Sequence, residues 1–90
     1  MTREPIAEGE IVRSRAGRDS GRAFVVWKVL DKEYVLLVDG RLRTLERPKK
    51  KKRMHLLKAS DKRMELSGNL LNADFRAFLS AEGFQNDRKE

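Results

Sequence analysis

The sequence has no cysteine, only one histidine and only two prolines among its 90 residues. The lack of cysteine excludes disulfides, thiolate nucleophiles and cysteine-ligated metals, and it is typical of proteins in a reducing compartment. Long apolar runs are also missing: the run at residues 35–38 is far below the roughly 20 residues that cross a bilayer. No apolar segment of signal-peptide type opens the chain. We therefore expect a soluble, cytoplasmic protein that does not bind membranes.

Residue sets typical of an active site are missing as well. A chain this short buries only about 60–65% of its unfolded surface, which leaves little room for a deep catalytic cavity. His55 has no evident companion ligands, so we expect no metal site. The glycine-flanked loop at residues 17–21 leads into a predicted strand and not into a helix, unlike a nucleotide-binding phosphate loop. The sequence predicts no enzyme, no cofactor and no small-molecule substrate.

Positive charge is abundant and concentrated in one segment. The chain has 21 Lys and Arg against 14 Asp and Glu, for a formal net charge of +7. Residues 12–58 alone carry fifteen basic and five acidic side chains, whereas the flanking segments are slightly acidic. A field of this kind attracts polyanions, of which nucleic acid, an anionic membrane and an acidic protein are the candidates.

Short β-strands are predicted through the first two thirds of the chain, because β-branched and aromatic residues cluster between turn residues. The predicted strands are residues 10–15, 23–30, 33–38, 41–46 and 54–57. Asp31-Lys32 predicts a tight turn, and Asp39-Gly40 predicts a type I′ hairpin turn. The resulting organisation is an N-terminal arm (1–8), a β-domain (9–58), a polar connector (59–71), a helix (72–84) and a frayed tail (85–90).

Five short strands cannot each bury an apolar face alone, so the pattern predicts a small, strongly bent barrel. The fold class is therefore mainly β, a five-stranded barrel with a short C-terminal α-helix. The predicted inward-facing residues are Val12, Val26, Val29, Leu36, Val38, Leu42, Met54 and Leu56.

The C-terminal helix is predicted from its end signals and its apolar spacing. Asn72 is a suitable N-cap, and Asp74 in the first turn interacts favourably with the helix dipole. Gly83 and Phe84 fit the C′ and C″ positions of a Schellman motif. The apolar face consists of Phe75, Phe78 and Leu79. Because so short a helix is marginal alone, this face is expected to dock on the barrel.

An ordered series of glycines and valines runs from residue 9 to residue 40. It consists of Gly9, Ile11, Val12, the loop Ala16-Gly17-Arg18-Asp19-Ser20-Gly21-Arg22, Val26, Val29, Val38, Asp39 and Gly40. The series resembles a KOW motif. Extended through residues 41–43 and 48–57, the chain resembles the fourteen-e family of large-subunit ribosomal proteins and small bacterial proteins similar to it. The resemblance implies an SH3-like barrel that binds RNA, or partners of the transcription and translation machinery.

Two basic segments are the predicted RNA-binding site. Gly17 and Gly21 bracket a predicted tight turn, where positive φ or close backbone approach is expected, and this turn would hold the neighbouring arginines at a fixed place as a clamp for phosphates. The lysine run after Pro48 would add flexible point charges and a steep salt dependence. The predicted RNA-binding residues are Arg13, Arg15, Arg18, Arg22, Lys49, Lys50, Lys51, Lys52 and Arg53. Possible base-stacking residues are Phe24, Trp27 and Tyr34.

The predicted function is binding of structured ribosomal or other translation-related RNA by a protein that is monomeric when free, with ribosomal proteins as possible further partners. The alternative is a protein–protein module that binds an acidic surface of the transcription or translation machinery. The arginines could instead protect a strand edge, and the lysine run could be a solubilising loop or a nuclear localisation signal. Membrane adhesion is not favoured, because the one predicted helix is net acidic.

Overall fold

The computed structural model describes residues 6–84, so the predicted tail and the first five residues of the predicted arm lie outside it. The strands are β1 Glu10–Ser14, β2 Ala23–Val29, β3 Tyr34–Val38, β4 Lys49–Lys52 and β5 Leu56–Arg63. The helix is α1 Asn72–Ala81, and short 3₁₀ turns lie at Gly17–Asp19 and Arg53–His55. The expectation of a mainly β fold with one C-terminal helix is confirmed.

All five strands form one antiparallel sheet in the order β4-β3-β2-β1-β5. Within residues 6–84, β4 and β5 are the two edges and no ladder joins them. The sheet is nevertheless strongly curved. Two strands separate β4 from β1, yet Lys51 Nζ in β4 donates a hydrogen bond of 2.9 Å to the carbonyl of Ala16, just after β1. Irregular pairing between β2 and β3 and between β1 and β5 contributes to this bending.

The core lies on both faces of the sheet, because consecutive residues of a strand point in opposite directions. One apolar cluster comprises Ile6, Val12, Phe24, Val26, Val35, Leu37 and Leu56. The buried residues of the other cluster are Ile11, Ala23, Val25, Val38, Phe75 and Leu79. The central strands β1 and β2 are therefore covered on both sides, and Ile6 of the predicted arm belongs to the core.

Half of the predicted core is correct. Val12, Val26, Val38 and Leu56 are buried. Leu36 is only half-buried. Val29, Leu42 and Met54 are exposed. Val29 ends its strand, whereas Leu42 and Met54 lie in a loop and a 3₁₀ turn, where the two-residue alternation of a strand does not apply.

The predicted fourth strand is wrong, because residues 41–46 form a loop. Asp39-Gly40 does not form the predicted type I′ turn: Gly40 has φ +82°, but no described non-glycine residue has positive φ. Instead the Asp39 carboxylate accepts hydrogen bonds from the backbone N–H groups of Arg41 and Arg43 at 2.9 and 3.0 Å. The chain therefore leaves the sheet after β3 and rejoins it as β4.

Strand β4 consists only of lysines, which have low intrinsic preference for β-structure. Its position explains why it forms: it pairs with β3 on one side and is a sheet edge on the other, where charged side chains oppose aggregation. Strand β5 runs to Arg63, so residues 59–63 of the predicted connector belong to the sheet. Their polar character is that of an exposed edge.

Helix α1 forms close to its predicted position, although Leu71 is the N-cap and Asn72 is the first helical residue. The Asp74 carboxylate accepts the N–H of Leu71 at 2.8 Å. The Schellman ending is confirmed: Gly83 has φ +88°, and the Phe84 N–H donates to the Leu79 carbonyl at 2.8 Å. Phe75 and Leu79 are buried against the sheet, and Phe78 packs beside them.

Within residues 6–84, no helix has the length and apolar content that would let it span a membrane.

The turn between β2 and β3 contains a carboxylate that supports its backbone. Asp31 Oδ1 accepts the N–H groups of Glu33 and Tyr34, each at 2.8 Å. These two hydrogen bonds hold the pKa of Asp31 below its ordinary value. A carboxylate whose pKa is lower in the folded state stabilises the protein above its unfolded pKa of about 4, and that stability is lost as the pH falls through the lowered value.

Asp31→Asn keeps the acceptor oxygen and removes only the charge. We expect the variant to have a lower free energy of unfolding than the parent at pH 7, and the difference to shrink at pH 2. Urea denaturation of both proteins at pH 7 and pH 2 measures this difference in the free energy of unfolding. Asp61→Asn is the matched control, because no described residue donates a hydrogen bond to Asp61. A deficit of equal size at both pH values would contradict the assignment.

Candidate nucleic-acid interface

The loop between β1 and β2 has a fixed backbone. Gly17 and Gly21 both have positive φ, of +77° and +88°, as the sequence predicts. The Gly21 N–H donates to the Ser14 carbonyl at 2.8 Å, and the Ser14 N–H donates to the Arg22 carbonyl at 3.0 Å. These bonds hold residues 15–22, here called the first loop, against the end of β1.

The four arginines of this region have different environments. Arg15 and Arg18 are exposed, and no described residue accepts a hydrogen bond from their side chains. Arg13 donates from Nη1 to the Gly21 carbonyl at 2.7 Å, and its guanidinium carbon lies 5.2 Å from the Phe84 ring centroid. Arg22 is paired with Asp39. Arg13 and Arg22 therefore already have partners within the fold, whereas Arg15 and Arg18 are the exposed arginines of this region whose side chains have no partner among the described residues.

The Arg22–Asp39 ion pair is largely buried. Arg22 Nη2 lies 2.8 Å from Asp39 Oδ2, and the side chains are 18% and 1% exposed. The two residues lie in different loops, one after β1 and the other after β3. The pair therefore ties these loops together.

The lysines of β4 alternate between two environments. Lys49 Nζ lies 3.4 Å from Asp19 Oδ2, and Lys51 donates to the Ala16 carbonyl, so both reach the first loop. Lys50 and Lys52 point to the other face, where their Nζ atoms lie 4.6 and 5.9 Å from the Tyr34 ring centroid. The two basic segments that the sequence singled out separately are therefore adjacent in space.

Arg53, at the end of the lysine run, is used differently. Its Nη1 donates to the Lys32 carbonyl at 3.2 Å, and its backbone N–H donates to the Glu33 carbonyl at 2.7 Å. Arg53 therefore joins the 3₁₀ turn after β4 to the turn between β2 and β3.

The three aromatic residues proposed for base stacking also lie in different environments. Phe24 is completely buried in the core, so the prediction that it could stack on a base is wrong. Trp27 is half-buried, packs edge-on against Phe75 with ring centroids 5.9 Å apart, and has Lys28 Nζ 4.7 Å from its ring centroid. Tyr34 remains partly accessible beside two ammonium groups.

His55 is half-buried in the 3₁₀ turn after β4, where its backbone carbonyl accepts the Arg15 N–H at 2.9 Å. Across residues 6–84, no three metal-ligating side chains gather closely enough to hold an ion.

A further basic segment, residues 39–48, was missed by the sequence analysis and is here called the second loop. It carries Arg41, Arg43 and Arg47, which were assigned to a strand or left unassigned. One feature of the sequence could have excluded the strand: Leu42 and Leu45 are three residues apart, which does not fit a two-residue alternation.

The only acidic side chains of the second loop are Asp39 and Glu46. The Glu46 carboxylate accepts a hydrogen bond of 3.0 Å from the side-chain amide of Asn72 on α1. This bond, supported by donors within the loop, holds the pKa of Glu46 below its ordinary value. Since Asp39 is paired with Arg22, Glu46 is the one carboxylate of the loop left to offset Arg41, Arg43 and Arg47, and the loop keeps a net positive charge.

No protein-family model matches the chain, and no curated protein matches its sequence. A functional assignment therefore depends on the charges and the geometry described above.

Proposed function

We propose that this protein binds RNA by contacting phosphates with a surface formed by the first loop and β4. The observation that carries the proposal is the junction of these two segments. Lys51 Nζ reaches the Ala16 carbonyl and Lys49 Nζ reaches Asp19, so cations from separate parts of the chain form one continuous surface. A polyanion can contact such a surface along its length.

The side chains present are suited to phosphate. Arg15 and Arg18 offer planar guanidinium groups that can donate two parallel hydrogen bonds to one phosphate. On the opposite face of β4, Lys50 and Lys52 beside Tyr34 add flexible point charges, which contribute through counterion release. The fixed backbone of the first loop reduces the conformational entropy lost on binding. Tyr34 is the better stacking candidate for an unpaired base, because the Trp27 ring is already packed on Phe75.

The proposal includes the finer fold type and setting. A curved five-stranded sheet with a rigid, glycine-based loop after β1 supports an SH3-like barrel of the KOW type. We further propose that a protein of this type acts in the cytoplasm, where it binds ribosomal or other translation-related RNA.

Arg15→Gln/Arg18→Gln is the direct test, because both side chains are exposed and serve no described contact. Each lost phosphate contact makes the slope of log K against log [salt] shallower by about 0.7–0.9, so we expect a change of about 1.4–1.8. We also expect affinity at low salt to fall about tenfold or more. Fluorescence anisotropy with a labelled RNA hairpin, titrated at several salt concentrations, measures both quantities.

The matched control is Lys62→Gln/Arg63→Gln, which removes the same charge from exposed positions on β5, at the other edge of the sheet. If both double variants weaken binding equally, only net charge is involved and the proposed surface is wrong. If the parent binds no RNA at low salt, the function is wrong. A partner captured from lysate that survives nuclease treatment would then favour the protein–protein alternative.

A further inference from the structure

The second loop is held rigidly by helix α1. Asn72 Oδ1 accepts the Leu45 N–H at 2.8 Å, and Arg76 Nη1 donates to the Gly40 carbonyl at 2.6 Å. The helix therefore holds the loop at two points, one near each end. Asp39 fixes the turn between them by accepting the N–H groups of Arg41 and Arg43. A loop with this many bonds presents its side chains at defined positions.

The guanidinium groups of this rigid loop lack a partner within the described part of the chain. Among residues 6–84, nothing accepts a hydrogen bond from the side chains of Arg41, Arg43 or Arg47. Arg41 and Arg47 are exposed, and because Asp39 is paired with Arg22, Glu46 is the one carboxylate left opposite the loop's three guanidinium groups. Three arginines within seven residues outnumber the single carboxylate of Glu46, so the loop is net positive, and a bound polyanion would relieve the remaining repulsion.

The two loops leave the same end of the sheet. Strands β1 and β3 are both antiparallel to β2, so they run in the same direction and their following loops emerge together. The Arg22–Asp39 bond of 2.8 Å joins the loops directly. The first loop, which carries Arg15 and Arg18, and the second loop, which carries Arg41 and Arg47, are therefore neighbours.

Leu42 lies between two arginines in the second loop and is 66% exposed. An exposed apolar side chain beside guanidinium groups suits a ligand that has both charge and apolar surface. RNA has both, in its phosphates and in the faces of its sugars and bases.

We propose that the second loop is a further RNA-binding element, in which Arg41 and Arg47 contact phosphates beyond those held by the first loop, and that α1 positions it. This inference rests on the proposed function and extends it. It also gives the C-terminal helix a role: Asn72 and Arg76 act as positioning residues that touch no RNA themselves.

Two variants test the inference, each with a matched control, in the full chain with the labelled RNA hairpin. Arg41→Gln/Arg47→Gln removes two charges from exposed positions, and Lys62→Gln/Arg63→Gln is its control. We expect the loop variant to make the salt slope shallower by about 1.4–1.8 and to lower affinity about tenfold at low salt. Thermal unfolding should show that both variants remain folded.

Asn72→Ala tests the positioning role without changing the charge. It removes the acceptor of the Leu45 N–H and the donor to Glu46, so the loop should become mobile. We expect a severalfold loss of affinity with an unchanged salt slope, since no phosphate contact is deleted. Leu71→Ala, at an exposed neighbouring position, is the control.

The outcomes separate this inference from the proposed function. If Arg15→Gln/Arg18→Gln weakens binding but Arg41→Gln/Arg47→Gln behaves like its control, the second loop is not an RNA-binding element and the proposed function stands. If Asn72→Ala binds as tightly as Leu71→Ala, the positioning role of the helix is overturned. If the parent protein binds no RNA, the proposed function is wrong and this inference is wrong with it.

Discussion

Arg22→Gln is expected to lower the free energy of unfolding by about 3 kcal/mol, because it leaves the buried Asp39 carboxylate without its cationic partner. The Asp39 side chain is 1% exposed, so water cannot solvate the carboxylate once the guanidinium group is removed. Such a loss is large against the 5–15 kcal/mol that stabilises a typical domain. Urea denaturation monitored by circular dichroism measures the change.

Arg18→Gln is the matched control, since it makes the same chemical change in the same loop at an exposed position. We expect it to alter the free energy of unfolding by no more than about 0.5 kcal/mol. The two variants also separate stability from binding: Arg22→Gln should destabilise the fold, whereas Arg18→Gln should chiefly affect RNA. Equal stability of the two variants would show that the buried ion pair does not hold the loops together.

Gly40→Ala is expected to have the second large effect, of about 3 kcal/mol, because two costs act together. Gly40 has φ +82°, which strains any residue with a Cβ atom. A Cβ atom there would also collide with the carbonyl oxygen of Asn72 and approach the Arg76 Cγ to 2.8 Å. The first turn of α1 would have to move away from the second loop.

Gly21→Ala separates the two costs. Gly21 has φ +88° but no atom within 4 Å of an added Cβ, so we expect only the backbone strain of about 1–2 kcal/mol. Trp27 is the single tryptophan and packs on Phe75 of the helix, so its fluorescence reports helix docking. The spectrum of folded Gly40→Ala should differ from the parent's, and that of Gly21→Ala should not. Identical spectra and equal losses of stability would contradict the clash.

Both predictions concern contacts that hold the loops in place. Arg22 joins the first loop to the second, and Gly40 allows α1 to approach the second loop closely. If the proposed RNA surface is correct, substitutions at these positions should also weaken binding, although neither residue needs to touch RNA. Their effect on the salt slope should be small, which distinguishes them from Arg15→Gln/Arg18→Gln.

Features set by neighbouring residues could be predicted from the sequence. Gly83 and Phe84 end the helix as expected, because a Schellman motif needs only residues within one turn of each other. Gly17 and Gly21 adopt the predicted positive φ for the same local reason. Strands β1, β2 and β3 lie close to their predicted bounds, since clustered β-branched residues are a strong signal over short distances.

Features set by residues far apart in the chain could not be predicted from the sequence. Asp39-Gly40 favours a two-residue hairpin locally, but Asp39 instead pairs with Arg22, seventeen residues earlier. The lysines of β4 have little preference for a strand and adopt one because β3 offers an edge. Phe24 and Tyr34 look equally suitable for stacking in the sequence, but Phe24 faces the core from the central strand β2, whereas Tyr34 begins β3 and lies beside the lysines of β4.

The sequence by itself determined that the chain is basic in its middle, has a rigid glycine-based loop, and folds as a β-sheet with one short terminal helix. Only the tertiary structure decided which cations face solvent and which hold the fold together. The physical reason is that charge and local backbone preference are properties of single residues and their neighbours. The partner of a guanidinium group, by contrast, depends on which distant segments the curved sheet brings within hydrogen-bonding distance.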